Sequence, residues 1–138
     1  MKYIKIGTIE KPVSRISLGT WAIGGGPAWG QDPAQQAEAE RNSIATICSC
    51  PEAGINMLDT APGNSEVIVG KALKYMNREE MCIITKFGIV WDRKGALFNK
   101  VGDVQLYKNL SPDSLRHEID QSLSRLGVDY IDVYMSHW

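Results

Sequence analysis

A chain of 138 residues with 43% hydrophobic side chains has the size of one ordinary domain and enough apolar surface for a substantial core. Its 15 Lys and Arg nearly cancel 16 Asp and Glu, so there is no global pull toward nucleic acid or an anionic membrane surface. No apolar stretch approaches the roughly 20 residues of a membrane-spanning helix. The start, Met1-Lys-Tyr-Ile-Lys-Ile-Gly7, lacks the apolar core and small-residue cleavage site of a signal peptide, which predicts a cytoplasmic protein. Cys48, Cys50 and Cys82 are then expected as free thiols. No second Cys or His pair accompanies the Cys48/Cys50 spacing, so no metal site is expected.

In chain order, residues 1–9 and 13–17 are short β-type runs around Glu10-Lys11-Pro12, a pattern that predicts a hairpin. Residues 16–21 read as a strand entering the flexible Gly24-Gly25-Gly26-Pro27. Asp32-Pro33 opens a helix expected to reach Ala53, with Gly54 as its stop and Pro51 disturbing the last turn. Residues 55–61 form the next strand, 65–76 the next helix and 81–87 the strand after it. Residues 88–110 show no clear period and read as a long functional loop or lid. Ser111-Pro112 opens a helix with Leu115, Ile119, Ser122 and Leu126 on one face; Gly127 closes it before a strand over 130–138.

Strands alternating with helices imply right-handed crossovers and a parallel sheet. An open doubly wound sheet and a piece of a (β/α) barrel both satisfy this order. Gly24-Gly25-Gly26-Pro27 does not supply the G-x-G-x-x-G of a dinucleotide-binding unit.

Three apolar runs end in a polar residue: Asp59, Lys86 and His137. With a period of two, Met57 shares a face with Asp59, Ile84 with Lys86 and Met135 with His137. In a barrel those faces point inward, and the polar groups converge at the C-terminal mouth where barrel enzymes place catalysis. Singly, each residue type is more often a turn former, a solvent-reaching lysine or a packed histidine. Together they make sense, because an inward lysine needs a counter-charge and Asp59 on the neighbouring strand supplies one.

The run Gly54-Ile-Asn-Met-Leu-Asp59-Thr-Ala-Pro, followed by Ser65-Glu66-Val-Ile-Val-Gly70-Lys-Ala-Leu, resembles the aldo-keto reductase signature around its catalytic aspartate. Leu18-Gly-Thr-Trp21, Ile84-Thr-Lys86-Phe-Gly88 and Tyr130-Ile-Asp-Val-Tyr-Met-Ser-His137-Trp138 resemble three further blocks of that family in order. The likeness is strongest to bacterial members that reduce small aldehydes such as methylglyoxal. It implies an α/β fold, the N-terminal half of a (β/α)8 TIM barrel with a preceding hairpin, spanning residues 1–138 as a single domain.

The resemblance further implies an NADPH- or NADH-dependent oxidoreductase acting on small carbonyl substrates. Asp59 and Lys86 would tune a proton-donating tyrosine, His137 would orient the carbonyl, Gly19, Thr20 and Trp21 would lie against the cofactor, and Trp21 and Trp138 would line the substrate pocket. The tyrosine is missing: its position, five after the aspartate, holds Asn64, and a four-residue segment is absent between Gly63 and Asn64. Tyr107 is a remote substitute. A full barrel needs about 250 residues, and the family's phosphate and adenine contacts come from later strands, so tight cofactor binding and activity are not expected of these residues alone. The alternative is a non-catalytic half-barrel that associates into a homo-oligomer.

Overall fold

The computed structural model describes residues 1–25 and 33–137; the Gly26-Pro27 step, Asp32 and Trp138 lie outside the described residues. Strands β1 (Tyr3–Ile4) and β2 (Val13–Ser14) form the expected antiparallel hairpin, shorter than the apolar runs that signal it. Asn56 staples the hairpin to the main sheet. Its side-chain oxygen accepts from the Ser14 N–H at 2.8 Å, and its amide donates to the carbonyls of Pro12 at 2.9 Å and Glu80 at 3.1 Å.

The main sheet is parallel, in the order β3 (Ser17–Gly19), β4 (Met57–Asp59), β5 (Cys82–Phe87), β9 (Val133–Ser136). Helices α1 (Gln36–Ser49), α2 (Asn64–Leu73) and α3 (Pro112–Leu126) fill the three crossovers. Alternation then decides burial. Leu58, Ile83 and Thr85 face the helices and are fully buried, and the core continues through Ile47, Ile68, Val69, Ala72 and Leu126. Each fully buried Leu or Ile there contributes about 1.5–3 kcal/mol relative to exposure. The opposite face carries Asp59, Ile84, Lys86, Val133 and Met135, all half-buried or exposed, with Met135 at 46%.

Gly70 lets α2 and α3 close on each other: a Cβ there would sit 2.6 Å from the Arg125 carbonyl oxygen. Ser111 caps α3 by accepting the Ser114 N–H at 3.2 Å, as its position before Pro112 predicts. The three thiols are free, with Cys50 and Cys82 buried, and burial pushes Cys82 up to about 11, which leaves it a packing group.

Several boundaries differ from the sequence expectation. The first helix stops at Ser49 rather than Ala53, because Pro51 has no N–H to continue the ladder; Cys50 still has helical angles, and its N–H turns to the Ile47 carbonyl at 3.1 Å. The second ends at Leu73, which leaves Tyr75 exposed in the turn beyond it, and the last strand begins at Val133 rather than Tyr130. The largest correction concerns residues 88–110. They form an antiparallel sheet, β6 (Ile89–Val90), β7 (Ala96–Val101) and β8 (Val104–Lys108), with β8 in the middle. Its alternation is hidden because β7 is solvent-exposed along its whole length and carries a register shift between Leu97 and Asn99.

Candidate active site

Parallel register sets Gly19, Asp59, Ile84 and Val133 side by side, with Lys86 and Met135 one layer further along. His137 continues the ladder, its N–H donating to the Phe87 carbonyl at 2.8 Å. Asp59, Lys86 and His137 therefore share one face at adjoining strand ends. Lys86 Nζ donates to Asp59 Oδ1 at 2.5 Å and to the Thr60 carbonyl at 2.9 Å. With side chains 19% and 41% exposed, the Lys86–Asp59 pair is partly solvated and adds on the order of 1 kcal/mol or less to stability. Its consequence is positional: the ammonium is held at one place on the open face.

Burial, and next the Lys86 ammonium, hold the His137 imidazole below its ordinary value against the pull of Asp59. A neutral ring at physiological pH carries one N–H, which suits it to donate to a carbonyl oxygen rather than to compete for its proton. Thr20 lies beneath this group rather than on it. Its side chain is fully buried, and both its N–H, at 2.8 Å, and its hydroxyl, at 3.2 Å, donate to the Asp59 carbonyl. Gly19 is exposed, and a Cβ there would meet nothing within 4 Å, so this strand end presents open floor. Trp21 is 61% exposed and begins the short turn over Ala22–Gly24.

That turn is pinned to the start of α2. Asn64 Nδ2 donates to the Gly24 carbonyl at 2.6 Å, and a Cβ on Gly24 would lie 2.9 Å from the Ser65 nitrogen. Asn64 thus spends its amide on a loop carbonyl, and a carboxamide N–H is far too weakly acidic to serve as a general acid. Tyr107 stands in β8, paired with Val90 on one side and Leu97 on the other, in the antiparallel sheet rather than in the sheet that carries Asp59, Lys86 and the approach to His137. Tyr134 shares the helix-side face with Thr85, to which it is paired in register. Trp138 lies outside the described residues.

Among the described residues, no group of three His, Cys, Asp or Glu is arranged to hold a metal ion. A concavity of about 660 Å³ lies between the ends of α2 and α3, lined by Leu73, Lys74, Leu123 and Asp129. It includes none of the three strand-end residues. We take the strand ends as the site, because the chemistry converges there and the inward face has no opposite wall among the described residues to enclose a cavity. Sequence pattern alone does not mark Thr60, Glu66 or Glu118. A glutamate directly ahead of the apolar Val67, Ile68 and Val69 is the available signal for Glu66.

A sequence profile of the Aldo/keto reductase family matches residues 15–138. The chain belongs to the aldo-keto reductase family. The NADH-specific methylglyoxal reductase of Escherichia coli (strain K12) is 59% identical over 142 residues, covering all of this chain and 42% of that protein. Aldo-keto reductase YhdN of Bacillus subtilis (strain 168) is 38% identical, covering all of this chain and 38% of that protein. The solved glycerol dehydrogenase AKR11B4 from Gluconobacter oxydans superposes with a TM-score of 0.78 at 35% identity, over 99% of this chain and 39% of its own. The chain spans about two-fifths of the length of the curated relatives it matches. Its parallel sheet corresponds to the N-terminal half of the aldo-keto reductase barrel, and the open face is the face such a barrel turns inward.

Proposed function

We propose that this chain carries the Asp59, Lys86 and His137 portion of an NAD(P)H-dependent site for reducing small aldehydes or ketones, without a proton donor of its own. The Lys86–Asp59 contact beside His137 on the open sheet face supports the reading most strongly. Reduced nicotinamide, when bound, supplies the hydride. The residues present fit its reactive end: Gly19 leaves open floor beside Asp59, and Trp21 offers an exposed ring at the same strand end. His137 orients the carbonyl oxygen, and Lys86 places positive charge where negative charge develops. Lys86 is committed to Asp59 and the Thr60 carbonyl, which leaves proton delivery to a group that Asn64 does not replace.

The most similar of the relatives named above carries NADH and methylglyoxal in its name, which makes them the first cofactor and substrate to test. Millimolar NADH is expected to quench tryptophan emission, and Trp21→Phe to lose most of that quenching. Absence of quenching in the unsubstituted chain, with NADPH as well as NADH, would remove the support for a cofactor site here.

A second reading is favoured by the open sheet itself. Met135 is exposed, Ile84 and Met57 are half-buried, and β3 and β9 are the sheet's edges among the described residues. A second copy of the chain would cover this face and both edges. Light scattering is expected to give a dimer or larger assembly; a well-folded monomer rules this reading out.

A further inference from the structure

Lys86 is fixed from in front by Asp59 and the Thr60 carbonyl, and its strand is fixed from behind by two buried carboxylates. The Thr85 hydroxyl, on the helix side of β5, donates to Glu66 Oε1 at 2.5 Å. The other oxygen of Glu66 takes Arg125 Nε at 2.6 Å, and the side chain is fully buried. Beyond Lys86, where β5 ends and the chain leaves for the small antiparallel sheet, the Gly88 N–H donates to Glu118 Oε2 at 2.7 Å. Glu118 Oε1 is in turn taken by the Ser114 hydroxyl at 2.9 Å.

We infer that Glu66 and Glu118 are positioning residues for Lys86, clamping β5 at Thr85 and Gly88 so that the ammonium keeps its place over Asp59. The assignment rests on the carbonyl-reduction reading of Lys86 and adds how that lysine is held. Stability alone does not explain two acids behind one strand end. Buried ion pairs are often matched or exceeded in stability by apolar residues of similar volume. Short charge-assisted hydrogen bonds offer direction instead: each permits one geometry. The two grips bracket Lys86 and Phe87, so motion of the exposed sheet that follows Gly88 is stopped before it reaches the lysine.

His137 reports on that position, because it feels the charges of both Lys86 and Asp59. The chain has two histidines, His117 and His137, so both ring titrations are separable by NMR. Thr85→Val removes the rear hydroxyl at nearly constant volume. Once Lys86 drifts, its repulsion of the imidazolium weakens, and His137 is expected to bind its proton about threefold more tightly. Thr85→Ser restores the original midpoint.

If Thr85→Val does not fold, the paired change Thr85→Val with Glu66→Met removes the buried carboxylate together with its partner, and the same shift is expected. An unmoved His137 midpoint in either folded variant overturns the inference. The readout needs no turnover, so the two readings fail separately. Lost NADH quenching in the unsubstituted chain sinks the functional reading, whereas intact quenching with an unmoved His137 sinks the clamp alone.

Discussion

Given NADH and methylglyoxal, the purified 138-residue chain is expected to consume NADH at least about 100-fold more slowly than the 59% identical Escherichia coli reductase in the same assay. General acid catalysis contributes roughly 10²- to 10⁴-fold, and the position that should supply the acid holds Asn64, whose amide is engaged with the Gly24 carbonyl. The alignment with that relative is 142 positions long against 138 residues here; we propose that a four-residue segment is missing beside Gly63. Inserting a tyrosine in such a segment after Gly63 is expected to restore turnover only when the remaining barrel strands are supplied too. The inward face of β3, β4, β5 and β9 has no opposite wall among the described residues to exclude water and hold the cofactor. Turnover comparable to the relative by the chain as it stands would overturn the reading.

Replacing Asp132 by Ala is expected to cost about 3 kcal/mol of unfolding free energy, measured by urea denaturation. Its carboxylate, 5% exposed, takes Lys11 and Arg78 at 2.7 Å each, and Oδ2 also accepts the Ile83 N–H at 2.9 Å. One side chain thereby ties the hairpin turn, the segment before β5 and β5 itself to the approach of β9. Removal strands two cations, each retaining some solvent contact, which places the cost at the lower end for a broken buried pair. Burial alone would raise this carboxyl. The Ile83 N–H, Lys11 and Arg78 outweigh it and hold it below the usual carboxylate value. The unfolded chain therefore takes up a proton first as pH falls. The stability from Asp132 is present above the ordinary Asp range and is lost as pH drops through the lowered folded value. Asp132→Ala flattens this acid limb; an unchanged limb and a loss under 1 kcal/mol would show that the network is slack.

Much of the molecule follows from local pattern. Asp59, Lys86 and His137 each end an apolar run, and a period of two suffices to put them on one face, so their convergence could be read before any coordinates. Ser111-Pro112 and Gly127 marked α3 because caps act through neighbouring backbone groups. The antiparallel sheet over 88–110 is not legible in the sequence, since a strand exposed on both faces needs no apolar alternation and β7 carries a register shift. Glu66, Glu118 and Asp132 are not legible there either. A buried acid is tolerated only where partners from other elements meet it, and Thr85, Gly88, Arg125, Lys11 and Arg78 are brought to them by the crossovers.

Residue order thus sufficed for the alternating elements, the three strand-end groups and the absence of a tyrosine at position 64, because each depends on spacing along one segment. Which partner each buried charge finds, how Lys86 is held from both sides of its strand, and that Asn64 is tied to Gly24 all required the packed chain. Those contacts join residues tens of positions apart, and only packing decides which of them share a dry interior.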